Sequence, residues 1–116
     1  MTELLVGLDV GTTSSKAVVF DVDGAVLAVG RAPTPWTRVE PVGEAGAPGT
    51  EMPADALLEA AVAAVSQALA NAPDGQVAGL GVTSMAESGV LLDARGRPVV
   101  PVIAWHDARD LPKVTQ

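Results

Sequence analysis

The first thirty residues alternate short apolar runs with polar turns. Apolar runs at residues 4–8 and 17–20 are each short enough to be a buried strand. The segment Asp-Val-Asp-Gly at 21–24 precedes a third run at 25–29, and Asp-Gly before an apolar run is a strong hairpin signal. The pattern therefore predicts three strands, the third antiparallel to the second.

A single long helix is predicted from Pro53 to Asn71. Pro53 suits the first helical position, and the segment Ala-Pro-Asp-Gly at 72–75 ends the helix. Apolar residues recur at helical spacing and predict one narrow, alanine-rich stripe that packs closely on a sheet. The stripe consists of Leu57, Leu58, Ala61, Val62, Val65 and Leu69.

The segment before this helix has a different character. Residues 33–50 contain four prolines and three glycines, which predicts a long surface loop. A loop of this length in a compact domain is more often functional or disordered than a simple connection.

Further strands are predicted after the helix, at 77–82, 90–92 and 99–104, with a hairpin turn at 93–96. Pro101 interrupts the last of them, which favours an edge strand or a bulge. A meander followed by a helical crossover predicts an α/β fold, in which a mixed sheet carries the helix on one face.

Composition limits the possible functions. The chain has 116 residues, enough for one domain, and a net charge of −7 from 14 acidic and 7 basic side chains. This balance argues against nucleic acid as a partner, because nonspecific binding needs a basic surface. The absence of cysteine and the single histidine exclude disulfides and the common zinc sites. No stretch is long and apolar enough for a membrane span or a signal peptide, so we expect a cytoplasmic protein without a membrane partner.

The turn between the first two strands concentrates candidate chemistry. Asp9 ends a strand, and one glycine with three hydroxyl residues, at 11–14, leads towards Lys16. A carboxylate is a natural Mg²⁺ partner, and the N–H groups of such a turn can form an anion-binding nest. Gly11 also permits a positive φ and close approach of a ligand. Together these groups suit a magnesium-bound polyphosphate.

The spacing differs from the common nucleotide motifs. Gly7 and Gly11 are one residue too close for Gly-x-x-x-x-Gly-Lys-Ser/Thr, and a strand follows where that motif has a helix. An ordinary hairpin, whose Thr and Ser residues satisfy turn hydrogen bonds, accounts for the spacing equally well.

Three blocks of sequence, taken in order, resemble one family. The segment Asp-Val-Gly-Thr-Thr-Ser-Ser-Lys at 9–16 resembles the first phosphate loop of the actin-like ATPase superfamily. Residues 81–93 resemble the substrate-side strand and hairpin of its FGGY carbohydrate kinases, and residues 101–109 resemble their Trp-x-Asp-x-Arg segment. The blocks span nearly the whole chain apart from 33–50. The resemblance implies a ribonuclease-H-like, actin-like ATPase fold, incomplete in this chain.

The resemblance also implies an activity: ATP-dependent phosphorylation of a hydroxyl on a small-molecule sugar, sugar acid or polyol. Asp9 would hold Mg²⁺ through water, and Lys16 would stabilise charge on the transferring phosphoryl group. The β- and γ-phosphates of ATP would be cradled by Gly11, Thr12, Thr13 and Ser14.

The other two blocks would form part of the substrate pocket. Glu87 would accept hydrogen bonds from substrate hydroxyls, and Trp105 and Asp107 would line the same pocket. Each has a plainer explanation. Glu87 would be a solvated turn residue, Trp105 would pack on the sheet edge, and Asp107 would form a local ion pair with Arg109.

Other parts of such a kinase are expected outside this sequence. The resemblance places the catalytic base beyond Gln116, with the adenosine pocket in a second domain, so residues 1–116 would be the amino-terminal part of the first domain. Apolar surface left uncovered would make a homo-oligomer plausible. The alternatives are an actin-like or chaperone-type ATPase, which shares the phosphate loop, and a noncatalytic fragment.

We predict that the 116-residue chain alone shows only background phosphoryl transfer, because the base that deprotonates the substrate hydroxyl is expected outside it. An ADP-release assay with ATP and a panel of sugars, sugar acids and polyols checks this. Robust transfer by the chain alone would contradict the interpretation as a fragment.

Overall fold

The computed structural model describes residues 2–40 and 48–107. In chain order its elements are β1 (Glu3–Val10), β2 (Ser14–Phe20), β3 (Val26–Pro33), β4 (Thr37–Val39), β5 (Gly49–Met52), α1 (Ala54–Asn71), β6 (Gln76–Ser84) and β7 (Val102–Ile103). They form two compact units: a first unit, Met1–Thr34 with Leu58–Met85, and a second unit, Pro35–Leu57 with Ala86–Gln116. No helix in these described ranges is both long and apolar enough to cross a lipid bilayer.

The first unit is built on a four-stranded sheet with the strand order β3-β2-β1-β6. β1, β2 and β3 are joined as antiparallel neighbours, whereas β6 lies parallel to β1. The turn at 21–24 forms as predicted, with the Asp21 carboxylate accepting the N–H groups of Asp23 and Ala25 at 2.9 Å. A parallel pair needs a crossover connection, and here that connection includes α1. The predicted mixed sheet with a crossover helix is confirmed.

The buried face of α1 differs from the predicted stripe. The buried helix residues are Ala61, Ala64 and Ala68, whereas Leu58 and Val62 are 63% and 55% exposed. The prediction was right for Ala61, and Val65 and Leu69 are partly buried against the core as predicted. It was wrong for Leu58 and Val62, and it omitted the other two alanines. The core cluster of the first unit consists of Leu4, Val6, Ala17, Val19, Ala64 and Ala68.

Close approach of α1 to β3 explains this orientation. A Cβ atom on Gly30 would overlap the carbonyl oxygen of Ala64 and lie 2.6 Å from the backbone nitrogen of Ala68. Only small side chains fit where a helix backbone comes this near to a strand, so alanines occupy the contact. The Gln67 side chain then accepts the Arg31 N–H at 2.6 Å, which pairs a backbone donor on the edge strand β3.

The second unit contains a three-stranded sheet with the strand order β4-β5-β7. Both neighbours of β5 run antiparallel to it. The prediction of a structureless loop over 33–50 was therefore wrong in its described part, since β4 and the start of β5 lie there; residues 41–47 are outside the described residues. Strands of three and four residues are too short to show a periodicity, and the prolines and glycines around them favoured a loop.

The hairpin predicted at 90–104 is only partly formed. Its turn is confirmed: the Gly96 N–H donates to the Asp93 carbonyl at 3.0 Å, and Gly96 has a φ of 77°. The strand predicted at 90–92 is reduced to one bridge between Leu92 and Pro98. The strand predicted at 99–104 is limited to β7, directly after Pro101, which has no N–H to donate.

We predict that Gly30→Ala lowers the free energy of unfolding by about 2–3 kcal/mol or more, because a methyl group there meets helix backbone that cannot move aside. Gly81→Ala is the matched control, since nothing lies within 4 Å of a Cβ at that strand glycine. Urea unfolding followed by circular dichroism measures both changes. Equal midpoints for the two variants would show that the helix does not pack this closely in solution.

Candidate phosphate loop and substrate groove

The turn between β1 and β2 is closed by its own backbone. The Gly11 N–H donates to the Ser14 carbonyl at 3.0 Å, so this N–H is already paired within the chain. Gly11 also lacks the positive φ that the sequence permitted; among the described glycines, Gly24 and Gly96 have one. A Cβ at Gly11 would instead lie 2.9 Å from the Ser14 oxygen. The glycine is therefore needed for the tightness of the turn.

Thr34, a residue without a predicted role, holds the same turn from outside. Its Oγ1 donates to the Gly11 carbonyl at 2.7 Å, and its N–H donates to the Thr13 carbonyl at 2.9 Å. Thr34 is only 8% exposed. It lies within the stretch that was predicted to be a loop, and none of the sequence motifs marked it as part of a site.

Strand register places Asp9 and Lys16 side by side. Asp9 pairs with Lys16 on β2 and with Thr83 on β6. Because alternate residues of β1 and β2 are buried against α1, these three side chains lie on the opposite face of the sheet. They line a groove of about 470 Å³. The rest of its lining consists of Gly7, Leu8, Val18, Phe20, Gly81 and Val82.

The donor set at this groove fits a nucleotide-bound cation. Among the described residues, no group of three or more His, Cys, Asp and Glu side chains could hold a metal ion. The Asp9 carboxylate, beside the hydroxyl of Thr83, fits a cation that takes most of its ligands from phosphate oxygens and water, which is how Mg²⁺ usually binds with nucleotides. Thr83 was not predicted; its place beside Asp9 follows from the parallel pairing of β6.

The second unit brings the three predicted substrate residues together. Glu87, Trp105 and Asp107 line one groove of about 350 Å³. The other lining residues are Gly89, Leu91, Val100, Pro101, Ile103 and Ala104. Glu87 has a φ of 60°, a left-handed conformation that a non-glycine residue seldom adopts.

Asp107 has a structural contact in addition to its place in this groove. Its Oδ2 accepts the Thr50 N–H at 2.5 Å, and the Thr50 carbonyl accepts the Ala104 N–H at 3.0 Å. Thr50 thus ties the segment after β7 to β5. Arg109, the predicted ion-pair partner of Asp107, lies outside the described residues.

The single histidine contacts two tryptophan rings. The His106 ring makes edge-on contacts with Trp36, at a centroid distance of 5.7 Å, and with Trp105, at 5.2 Å. Edge-to-face pairs of this kind stabilise the position of the rings. Trp105, itself 54% exposed, therefore lines the groove while its ring contacts His106.

Comparison with known proteins gives a consistent result. Residues 4–116 match the family model for the N-terminal domain of the FGGY family of carbohydrate kinases. The chain is 32% identical over 111 residues to a glycerol kinase of Saccharolobus islandicus (strain L.S.2.15 / Lassen #1), a match that covers 95% of this chain and 21% of that protein. It is 33% identical over 117 residues to the glycerol kinase of Petrotoga mobilis, covering 94% of this chain and 21% of the relative.

Solved structures show the same likeness. The xylulose kinase from Rhodospirillum rubrum superposes with a TM-score of 0.76 at 31% identity, over 97% of this chain and 22% of that one. The gluconate kinase from Lactobacillus acidophilus superposes with a TM-score of 0.77 at 22% identity, over 93% and 20% of the two chains, and supports the fold alone. These neighbours confirm the actin-like ATPase fold that the phosphate-loop resemblance implied.

The matches cover nearly all of this chain but only part of each relative. The chain spans about a fifth of the length of the curated relatives it matches. The family model nevertheless covers almost every residue of it, and all three sequence blocks fall inside the match. The chain belongs to the FGGY family of carbohydrate kinases, in the part that corresponds to their N-terminal domain.

Proposed function

We propose that the protein carrying this chain transfers a phosphoryl group from ATP to a hydroxyl of a neutral sugar or polyol. The observation that carries the proposal is the register of β1, which sets Asp9 beside Lys16 at the end of the hairpin where the 11–14 turn begins. The family match supports a carbohydrate kinase over the actin-like and chaperone-type ATPases, which share only the phosphate loop.

The first unit would bind the phosphates. Asp9 would hold Mg²⁺ through water, and bound Mg²⁺ would neutralise charge on the phosphate oxygens. Thr12, Thr13 and Ser14 would offer donors to the β- and γ-phosphates, while Gly11 keeps the turn tight. Lys16, on the next strand, would stabilise the negative charge that the transferring group carries.

The second unit would supply part of the substrate pocket. Glu87 and Asp107 are the charged residues among those lining the groove, and both are acids. Carboxylates accept hydrogen bonds from hydroxyl groups and repel a carboxylate on the substrate. Trp105 offers an apolar ring face to the carbon skeleton. This lining favours a neutral sugar or polyol over a sugar acid.

The remaining machinery would lie outside this chain. We place the catalytic base and the adenosine pocket beyond residues 1–116, as the family resemblance implies. Relatives about five times as long support this division. A cytoplasmic location and a homo-oligomer stay predictions from the sequence.

We predict that Asp9→Asn in the intact protein lowers kcat roughly 10²-fold, because it removes the charge that would hold the cation. Asp23→Asn, in the exposed 21–24 turn, makes the same chemical change away from the groove and should leave kcat unchanged. Steady-state assays over a range of Mg²⁺ concentrations measure both. Wild-type activity of the Asp9 variant at all Mg²⁺ concentrations would refute the role of Asp9.

Glu87→Gln should raise the KM for the sugar about tenfold, since a charged acceptor for hydroxyls is lost. The KM for ATP should not change. Glu59→Gln, on the exposed side of α1, is the matched control. Competition between neutral sugars and the corresponding sugar acids tests the charge argument separately: preference for the acids would show that the groove is not the sugar site.

A further inference from the structure

We propose that Thr34 is a positioning residue for the phosphate loop, acting through its side-chain hydroxyl. The proposal rests on the proposed function, because it assigns the 11–14 turn to the phosphates of ATP. Thr34 touches this turn at two points, Oγ1 to the Gly11 carbonyl and N–H to the Thr13 carbonyl. It belongs to none of the three sequence blocks that resemble the kinase family.

Thr34 matters because it binds carbonyl oxygens of the 11–14 turn. A phosphate site needs donors aimed at the anion, and a carbonyl oxygen that faces the phosphate repels it. In and beside this turn, the carbonyls of residues 10, 11, 13 and 14 all accept hydrogen bonds from within the chain. Thr34 supplies the donors for two of these four. It therefore holds carbonyl oxygens towards the protein and away from the phosphates.

The conformation of Thr34 is restricted before any ligand binds. It lies between Pro33 and Pro35, and a residue that precedes a proline is confined to extended conformations. Pro33 is also the last residue of β3 and pairs with Ser14 in the sheet. Holding Thr34 against the turn therefore costs little additional backbone entropy, and preorganised contacts of this kind favour binding.

Substitutions at Thr34 can remove its side-chain hydrogen bond while keeping its backbone hydrogen bond. Thr34→Val keeps the shape and the N–H, but at a residue that is only 8% exposed it removes the hydroxyl that donates to the Gly11 carbonyl. Thr34→Ser keeps the hydroxyl and removes only a methyl group. Thr37→Val, on the exposed strand β4, makes the same substitution away from the turn.

The test uses the intact protein and titrates Mg²⁺-ATP in both binding and steady-state assays. Thr34→Val should weaken ATP binding and raise the KM for ATP about three- to tenfold, with the KM for the sugar unchanged. Thr34→Ser should restore both values to within about twofold, and Thr37→Val should not alter them. Without nucleotide, the Gly11 amide should exchange its hydrogen several-fold faster in the valine variant than in the wild type.

The outcomes separate two kinds of failure. Faster exchange with an unchanged KM for ATP would overturn the proposal, because Thr34 would then support the turn without positioning phosphate. Failure of serine to restore the KM would overturn it as well, since the hydroxyl would not be the cause. A wild-type protein that binds no nucleotide would refute the proposed function itself, and the role of Thr34 would fall with it.

Discussion

Strand β1 pairs along both of its edges, and the candidate phosphate site depends on that pairing. Side chains alternate along a strand and paired residues share a face, so the burial of Leu4 and Val6 against α1 puts Asp9 on the other side. There it meets Lys16 from an antiparallel neighbour and Thr83 from a parallel one. A slip of one residue in register would turn Asp9 towards the helix and separate the three groups. The alternation that buries the core therefore also assembles the site.

In the second unit, strand β5 likewise pairs along both of its edges. It pairs with β4 and β7, and Thr50 within it both accepts from Ala104 and donates to Asp107. Residues far apart in sequence are thereby joined, by one backbone–backbone and one backbone–carboxylate hydrogen bond, beside the groove that Trp105 lines. Asp107 has two roles in this arrangement. Its carboxylate stabilises the segment that carries Trp105, and it adds negative charge to the groove.

The 11–14 turn is held by contacts from inside and from outside its own motif. Gly11 was predicted from its motif to help cradle phosphates. In the structure its N–H donates to the Ser14 carbonyl, and the absence of a side chain keeps the turn tight. Two of the carbonyls in the turn are paired by Thr34, which lies outside the motif. The chemistry of the turn is thus set partly by a residue more than twenty positions away in the chain.

The sequence by itself determined the features that local forces decide. These are the turns at 21–24 and 93–96, the apolar runs of β1 to β3, the helix at 54–71 and the family of the chain, which all follow from neighbouring residues or short motifs. Only the tertiary structure decided which face of α1 is buried, that β4 and β5 exist, and that Thr34 and Thr83 join the site. Each of these depends on a partner distant in the chain. Gly30 selects the buried face of the helix, β7 pairs with β5, and the pairing of β6 with β1 places Thr83 beside Asp9. The spacing of apolar residues shows that one face of a helix will be buried. The space between the helix and the strand it packs on decides which side chains fit there.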